Sequence, residues 1–216
     1  MILLLGGEKG GTGKSTLSTN LAVWLARQGS DVILVDTDRQ RTSSHFVDRR
    51  NGHGDLPVIH SAEKYGNVFD TVRDLATRYE YVLVDAGGRD SEELRTAMVA
   101  AHKLYVPLKA SQPDLETSVH MNDLVKLAKG MNPHLKASLV ISMGPTHPAV
   151  HEDEEAVELL SELNQFSMSA TVIRERKAYR DAMAEGKGVI EMGNDKAVAE
   201  IEALAREIFE TAEQAG

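Results

Sequence analysis

Short unbroken apolar runs alternate along the chain with longer stretches whose apolar residues recur every three or four positions. Ile2-Leu3-Leu4-Leu5, Val32-Ile33-Leu34-Val35, Tyr81-Val82-Leu83-Val84, Leu104 to Leu108 and Leu139 to Ser142 are the runs. Continuous runs of this length, rich in aliphatic side chains, read as strands buried on both faces. Between them, Leu17, Leu21, Trp24 and Leu25 predict a helix stopped by Gln28-Gly29, and Val68, Val72, Leu75 and Ala76 predict another. Further helices are expected over 40–50, 90–101, 113–129 and 152–163, with short strands at Pro57 to His60 and Ala170 to Ile173. A basic helix should follow over 175–185. The last helix, from Asp195 to about Ala212, carries an apolar stripe of Val198, Ile201, Leu204, Ala205 and Ile208. Strands and helices in alternation mean parallel strands with helical crossovers. The predicted fold is a single α/β domain over 1–216: a doubly wound, mostly parallel sheet flanked by helices.

Composition narrows the class. A chain of 216 residues suits one full-sized domain, which buries about 70% of the surface its unfolded chain exposes. The absence of cysteine excludes disulfides, thiolate-bound zinc and an iron–sulfur cluster held by this chain, and it suits a reducing cytosol. No stretch approaches the ~20 apolar residues of a membrane span, and residues 1–5 lack the basic flank of a signal peptide. A soluble, cytoplasmic protein is expected. A formal charge of −9 argues against a surface that is basic all over but leaves room for a local basic patch.

Chemistry concentrates after the first strand, in Gly6-Gly7-Glu8-Lys9-Gly10-Gly11-Thr12-Gly13-Lys14-Ser15-Thr16. A strand that ends in clustered glycines and turns into a helix aims several backbone N–H groups at one point, where the helix N-terminus adds positive charge. Lys14 would reach the β- and γ-phosphates of a nucleotide and the Ser15 hydroxyl would ligate Mg²⁺. The strict phosphate-loop pattern fails by one residue, because Glu8 stands where it has glycine. A dinucleotide fold is excluded by the absence of G-x-G-x-x-G.

The stretch Lys9-Gly10-Gly11-Thr12-Gly13-Lys14-Ser15, with its second lysine at the head of the loop, resembles the deviant Walker A motif of the ParA/MinD family of ATPases. The resemblance implies an ATP- and Mg²⁺-dependent ATPase in which Lys9 crosses a dimer interface to the partner's nucleotide. Glu8 through Thr16 would form the nucleotide-binding loop. The absence of cysteine removes the iron-protein branch of such ATPases.

Three acids end strands where open α/β sheets bind their ligands. Asp36 and Asp38, two apart, can serve the metal shell and a water in line with the γ-phosphate. The resemblance assigns Asp36 to the neighbourhood of Mg²⁺, Asp38 to the attacking water, and Asp85 to the Walker B role of holding a metal-bound water. Asp85 is followed by Ala86-Gly87-Gly88, where the family has a proline soon after the acid, so this loop is expected to be less constrained. The nucleoside is expected near Ser142-Met143-Gly144-Pro145 and Ile173-Arg174-Glu175, with Met143 and Arg174 as contacts. His147 and His151 flank Pro148, and an acid-rich solvated turn is the better reading there than a metal site.

Late in the chain Arg174, Arg176, Lys177, Arg180 and Lys187 outnumber Glu175, Asp181 and Glu185. In ParA-like proteins basic residues in this region bind DNA non-specifically once ATP has made the dimer. Lys177 and Arg180 are the candidates here, and a solvated helix face with local ion pairs is the alternative. The terminal segment is acidic, which disfavours a MinD-like lipid-binding helix. The P-loop strand begins at residue 2, so no N-terminal helix-turn-helix extension is expected. The resemblance as a whole implies a homodimer with ATP, a nucleoid-associated cytoplasmic location, and a centromere-binding or adaptor protein that stimulates hydrolysis. A metabolic P-loop ligase of the dethiobiotin-synthetase type is the alternative from another class.

Overall fold

The computed structural model describes residues 1–109, 112–144, 160 and 162–210. In chain order its elements are β1 (Ile2–Leu5), α1 (Lys14–Arg27), β2 (Val32–Asp36), α2 (Thr42–Asn51), β3 (His60–Glu63), α3 (Phe69–Leu75), β4 (Tyr81–Asp85), α4 (Glu92–Ala100), β5 (Lys103–Leu108), α5 (Gln112–Met131), β6 (Lys136–Ile141), β7 (Ser167–Met168), α6 (Lys177–Glu185), a 3₁₀ turn (Val189–Glu191) and α7 (Asp195–Phe209). The seven strands form one parallel sheet in the order β3-β2-β4-β1-β5-β6-β7.

Alternation along the central strands assigns each face its helices. Leu3 and Leu5 of β1, Leu34 of β2 and Leu83 of β4 pack with α1, α2, α6 and α7, while Ile2, Leu4, Ile33, Val35, Val82 and Val84 pack with α3, α4 and α5. The sheet is thus wound on both faces, as the apolar runs predict. Helix ends follow local chemistry. Ser91 caps α4 by accepting the Leu94 N–H, and Asn194 caps α7 by accepting that of Ala197.

Two strand positions differ from the expectation. The short strand expected at Pro57 to His60 pairs three residues later, at His60–Glu63, because its register is set by β2: His60 lies opposite Ile33 and Glu63 opposite Asp36. Ile59 is instead a buried plug at the strand's entrance, with its N–H and carbonyl both bonded to the Asn51 side chain. The strand expected over 170–173 is displaced to Ser167–Met168. Thr171 turns back onto the Ser169 hydroxyl, although Ile173 still donates its N–H to Ile141 and Arg174 bridges Gly144. The helix expected over 152–163 falls almost wholly outside the described residues, as do His147 and His151.

Register brings the acids together. Asp85 of β4 lies opposite both Leu5 of β1 and Asp36 of β2, so the carboxyl ends of three neighbouring strands place two acids beside the loop that leaves β1.

Candidate functional site

The loop leaves β1 through Gly6 and closes at Gly13, whose φ of 96° is left-handed and whose missing side chain matters twice. A Cβ there would also stand 2.9 Å from the Ser142 hydroxyl, so glycine alone lets the loop pass β6's end and start α1. Lys14 is the first residue of that helix and is 6% exposed. Its ammonium donates to the Lys9 carbonyl at 2.7 Å. Burial lowers its pKa, and the negative charges of Asp85 and Asp38 oppose that shift. A cavity of about 340 Å³ opens over the loop glycines, Lys14 and Ser15, with Asp38 and Gly88 on its far wall. Backbone N–H groups, a helix N-terminus and a lysine around such a cavity suit a chain of phosphates.

The acids are held from α2. Asp36 is fully buried and accepts the Ser44 N–H at 2.9 Å, the Ser44 hydroxyl at 3.1 Å and the Asp38 N–H at 3.0 Å. Burial still raises its pKa against those bonds. Asp85 accepts the Ser43 hydroxyl on one oxygen, and burial pushes its pKa up to about 6, against the lowering effect of Ser43 and Ser15. Its other oxygen, Oδ1, is buried with no hydrogen-bond partner among the described residues. A buried orphan oxygen beside a second carboxylate and a serine hydroxyl is an all-oxygen donor set, which fits a hard divalent cation such as Mg²⁺. Ser15, Asp36 and Asp85 are the residues that could hold one. Asp38 stands apart, with an oxygen accepting the Gln40 N–H at 3.0 Å.

Helix α2 also reaches the opposite side. Its last turn sends Arg49 to the Met183 carbonyl at 3.0 Å, and Arg50 to the Gly186 carbonyl at 3.3 Å and to both carboxylate oxygens of Glu191 at 2.9 and 3.0 Å. Arg50 is wholly buried. These cations meet carbonyls that α6 leaves unpaired at its C-terminus, where positive charge is favourable.

On that side of α1 a second cavity, of about 260 Å³, is lined by Gly13, Thr16, Met143, Arg174, Tyr179 and Met183 among others. Ser142, Ile173 and Glu175 are lining residues too, so the two loops expected to enclose a nucleoside meet here. Met143 adopts a left-handed φ of 56°.

Some expected residues lie elsewhere. Glu8 is not among the lining residues of the phosphate cavity, and its carboxylate meets His120 Nδ1 of α5 at 2.7 Å. Glu8, Asp90 and His120 are close enough to share an ion, but both Asp90 oxygens accept from Arg95, which makes the group an ion-pair network. Lys9 is also outside that lining, and its carbonyl accepts from Lys14 and, at 3.4 Å, from Thr12. Lys177 pairs with Asp181 at 2.9 Å and Arg180 with Glu175 at 3.4 Å, all four well exposed. The basic segment thus carries its own counter-charges. The loop after Asp85 corrects the expectation of slack: a Cβ on Gly88 would lie 2.7 Å from the N and Cα of Gly10, so this glycine is a close-packing position against the phosphate loop. Ser43 and Ser44 are functional positions that the sequence reading does not reach. Ser43-Ser44 directly after an acid-bearing loop and at a helix start was the available signal.

The model of the CobQ/CobB/MinD/ParA nucleotide binding domain matches residues 3–190. Among curated relatives, the maintenance of carboxysome distribution protein A of Halothiobacillus neapolitanus is 30% identical over 191 residues, spanning 86% of this chain and 84% of that protein. The chromosome-partitioning ATPase Soj of Thermus thermophilus is 27% identical over 62% of this chain and 65% of its own. Among solved structures, apo McdA of Cyanothece superposes with a TM-score of 0.77 at 15% identity, covering 95% of this chain and 98% of that one. The cell division ATPase MinD of Pyrococcus furiosus superposes with a TM-score of 0.73 at 18% identity, over 98% and 99%. The chain therefore belongs to the CobQ/CobB/MinD/ParA nucleotide-binding family and has the fold of its ParA/MinD ATPases.

Proposed function

We propose that the chain binds Mg·ATP, dimerises with it, and hydrolyses it to ADP and phosphate as a switch that positions a cargo. The observation that carries this reading is one cleft in which the Lys14-Ser15 loop faces Asp38 while Asp36 and Asp85 sit buried beneath it. Loop N–H groups and the start of α1 would bind the phosphates, and Lys14 would neutralise charge on them. Bound Mg²⁺ would supply further neutralisation of the phosphate oxygens. Asp38 would orient a water whose oxygen attacks the γ-phosphorus as the bond to the ADP oxygen breaks. Little more is needed, since phosphoryl transfer is mainly positioning and electrostatics. The cavity beyond Thr16 would take the base.

Lys9 at the mouth of the loop supports a shared active site between two copies. Sizing with ATP against ADP tests this: a switch dimerises with ATP alone, and Lys9→Ala should lose that dimer while keeping ATP binding. A ligase of a small carboxylate would show no nucleotide-dependent dimer.

The cargo reading divides. Relatives named for chromosome partition support a DNA cargo, with Lys177 and Arg180 touching phosphates and a centromere-binding or adaptor partner stimulating hydrolysis in the nucleoid-associated cytoplasm. The relatives named for carboxysome distribution favour a second reading, a protein assembly as cargo. Because Arg180 also lines the base cavity, Lys177→Ala is the cleaner probe of DNA contact. If Lys177 neutralises a phosphate, the salt slope of ATP-dependent DNA binding should fall by about one unit. No helix among the described residues is long and apolar enough to cross a membrane.

A further inference from the structure

The wall of the 260 Å³ cavity that faces α1 is built by Arg174, Arg176 and Tyr179. All three are tied to one carboxylate that does not itself line the cavity. Glu200, on α7, is 12% exposed at its side chain. Its Oε1 accepts from Arg176 Nε at 2.9 Å and from the same guanidinium's Nη2 at 2.5 Å. Its Oε2 accepts the Arg174 N–H at 3.2 Å and the Tyr179 hydroxyl at 2.9 Å.

Four donors from three residues converge on one carboxylate, across sequence separations of 21 to 26. A buried ion pair is a weak source of stability, because desolvation offsets most of its attraction. What this one does is fix geometry. The Arg174 backbone, the Arg176 side chain and the Tyr179 ring are locked relative to Gly13 and Thr16, which floor the same cavity. Burial and then the Glu200 charge raise the Tyr179 phenol pKa, which keeps the hydroxyl a donor.

We propose that Glu200 is a positioning residue for nucleobase recognition: by clamping Arg174, Arg176 and Tyr179 from behind, it sets the width of the base cavity and so the discrimination between bases. This rests on the reading of that cavity as the base site. Nothing about the phosphates passes through Glu200. Its loss should therefore cost base selectivity and leave the triphosphate end alone.

Glutamine is the informative substitution. Every partner of Glu200 is a donor, so either orientation of a glutamine amide turns its NH₂ group against an N–H or O–H. Binding of ATP, GTP and inorganic tripolyphosphate, each with Mg²⁺, would be measured calorimetrically on the full chain. Glu200→Gln should lower ATP affinity about tenfold, toward that of GTP, with tripolyphosphate affinity unchanged. Tyr179→Phe, which keeps the ring and removes the hydroxyl's bond to Glu200 together with a longer one, at 3.4 Å, to the Ala197 carbonyl, should show the same pattern at about threefold and covers the case in which Glu200→Gln fails to fold. Met183→Trp, which fills the cavity, tests the underlying reading. If Met183→Trp abolishes ATP preference while Glu200→Gln and Tyr179→Phe leave it intact, the clamp is refuted and the base site stands. If Met183→Trp leaves ATP affinity and preference untouched, the base-site reading fails and the clamp fails with it. A uniform loss across all three ligands would also overturn the proposal, since that is what a merely structural role produces.

Discussion

The two sides of the α1 N-terminus are built by opposite means. On the phosphate side, buried acids and a buried lysine are each held by a group in direct contact with them: Asp36 by Ser44, Asp85 by Ser43, Lys14 by the Lys9 carbonyl. On the nucleoside side an apolar cavity is walled by exposed and half-buried cations, two of which are held by Glu200 from outside the lining. The first arrangement concentrates charge where charge must be met. The second fixes a shape with a carboxylate placed behind the wall. Helix α2 touches both, with its serines under the acids and its arginines on the end of α6.

The comparison breaks most completely at Lys14. Lys14→Ala should reduce Mg·ATP affinity by two orders of magnitude or more in equilibrium binding, roughly 3 kcal/mol, with equal loss for tripolyphosphate, which separates it from any change at Glu200. Next is Arg50, which lines neither cavity but ties the end of α2 to Gly186, just past α6, and to Glu191. Arg50→Ala leaves Glu191 buried without its partner and should cost about 3–5 kcal/mol in chemical denaturation.

A smaller effect follows from Asp85, whose pKa is raised from 3.8 to about 6 by burial. A raised carboxyl favours the folded state when protonated. Its contribution is therefore full below pH 3.8 and lost as pH rises through about 6, up to about 3 kcal/mol. Asp85→Asn should flatten that window in thermal melts of the nucleotide-free protein and at the same time weaken Mg²⁺-dependent ATP binding. Last comes Gly88→Ala, whose Cβ would press on Gly10 backbone. It should cost roughly 1–2 kcal/mol and raise the KM for ATP, with the base preference unmoved.

The phosphate side was legible in the sequence because its chemistry is local. Gly13, Lys14 and Ser15 are consecutive, and Asp36 and Asp85 end apolar runs whose strand character is plain from composition. The nucleoside side was legible only as two loops. Glu200 sits at a polar position of an amphipathic helix, and nothing in its neighbours distinguishes it from Glu202 or Glu207 until the chain is folded. Gly88 misled for a related reason: glycine after an acid looks like freedom, and only the approach of Gly10 turns it into a steric requirement. The shift of β3 to His60–Glu63 was hidden because an edge strand takes its register from its neighbour.

The position of β1 at the centre of the sheet bears on how the protein is made. Leu3 lies between Leu83 and Lys103, so the strand that carries the phosphate loop is synthesised well before either of its neighbours exists. At roughly 5–20 residues per second, the growing chain spends several seconds with that strand unpaired and its loop unformed. Nucleotide therefore cannot template the early stages of folding. Contacts of such long sequence separation close late and slowly, which makes the first apolar run the segment most in need of shielding while the rest of the chain is being made.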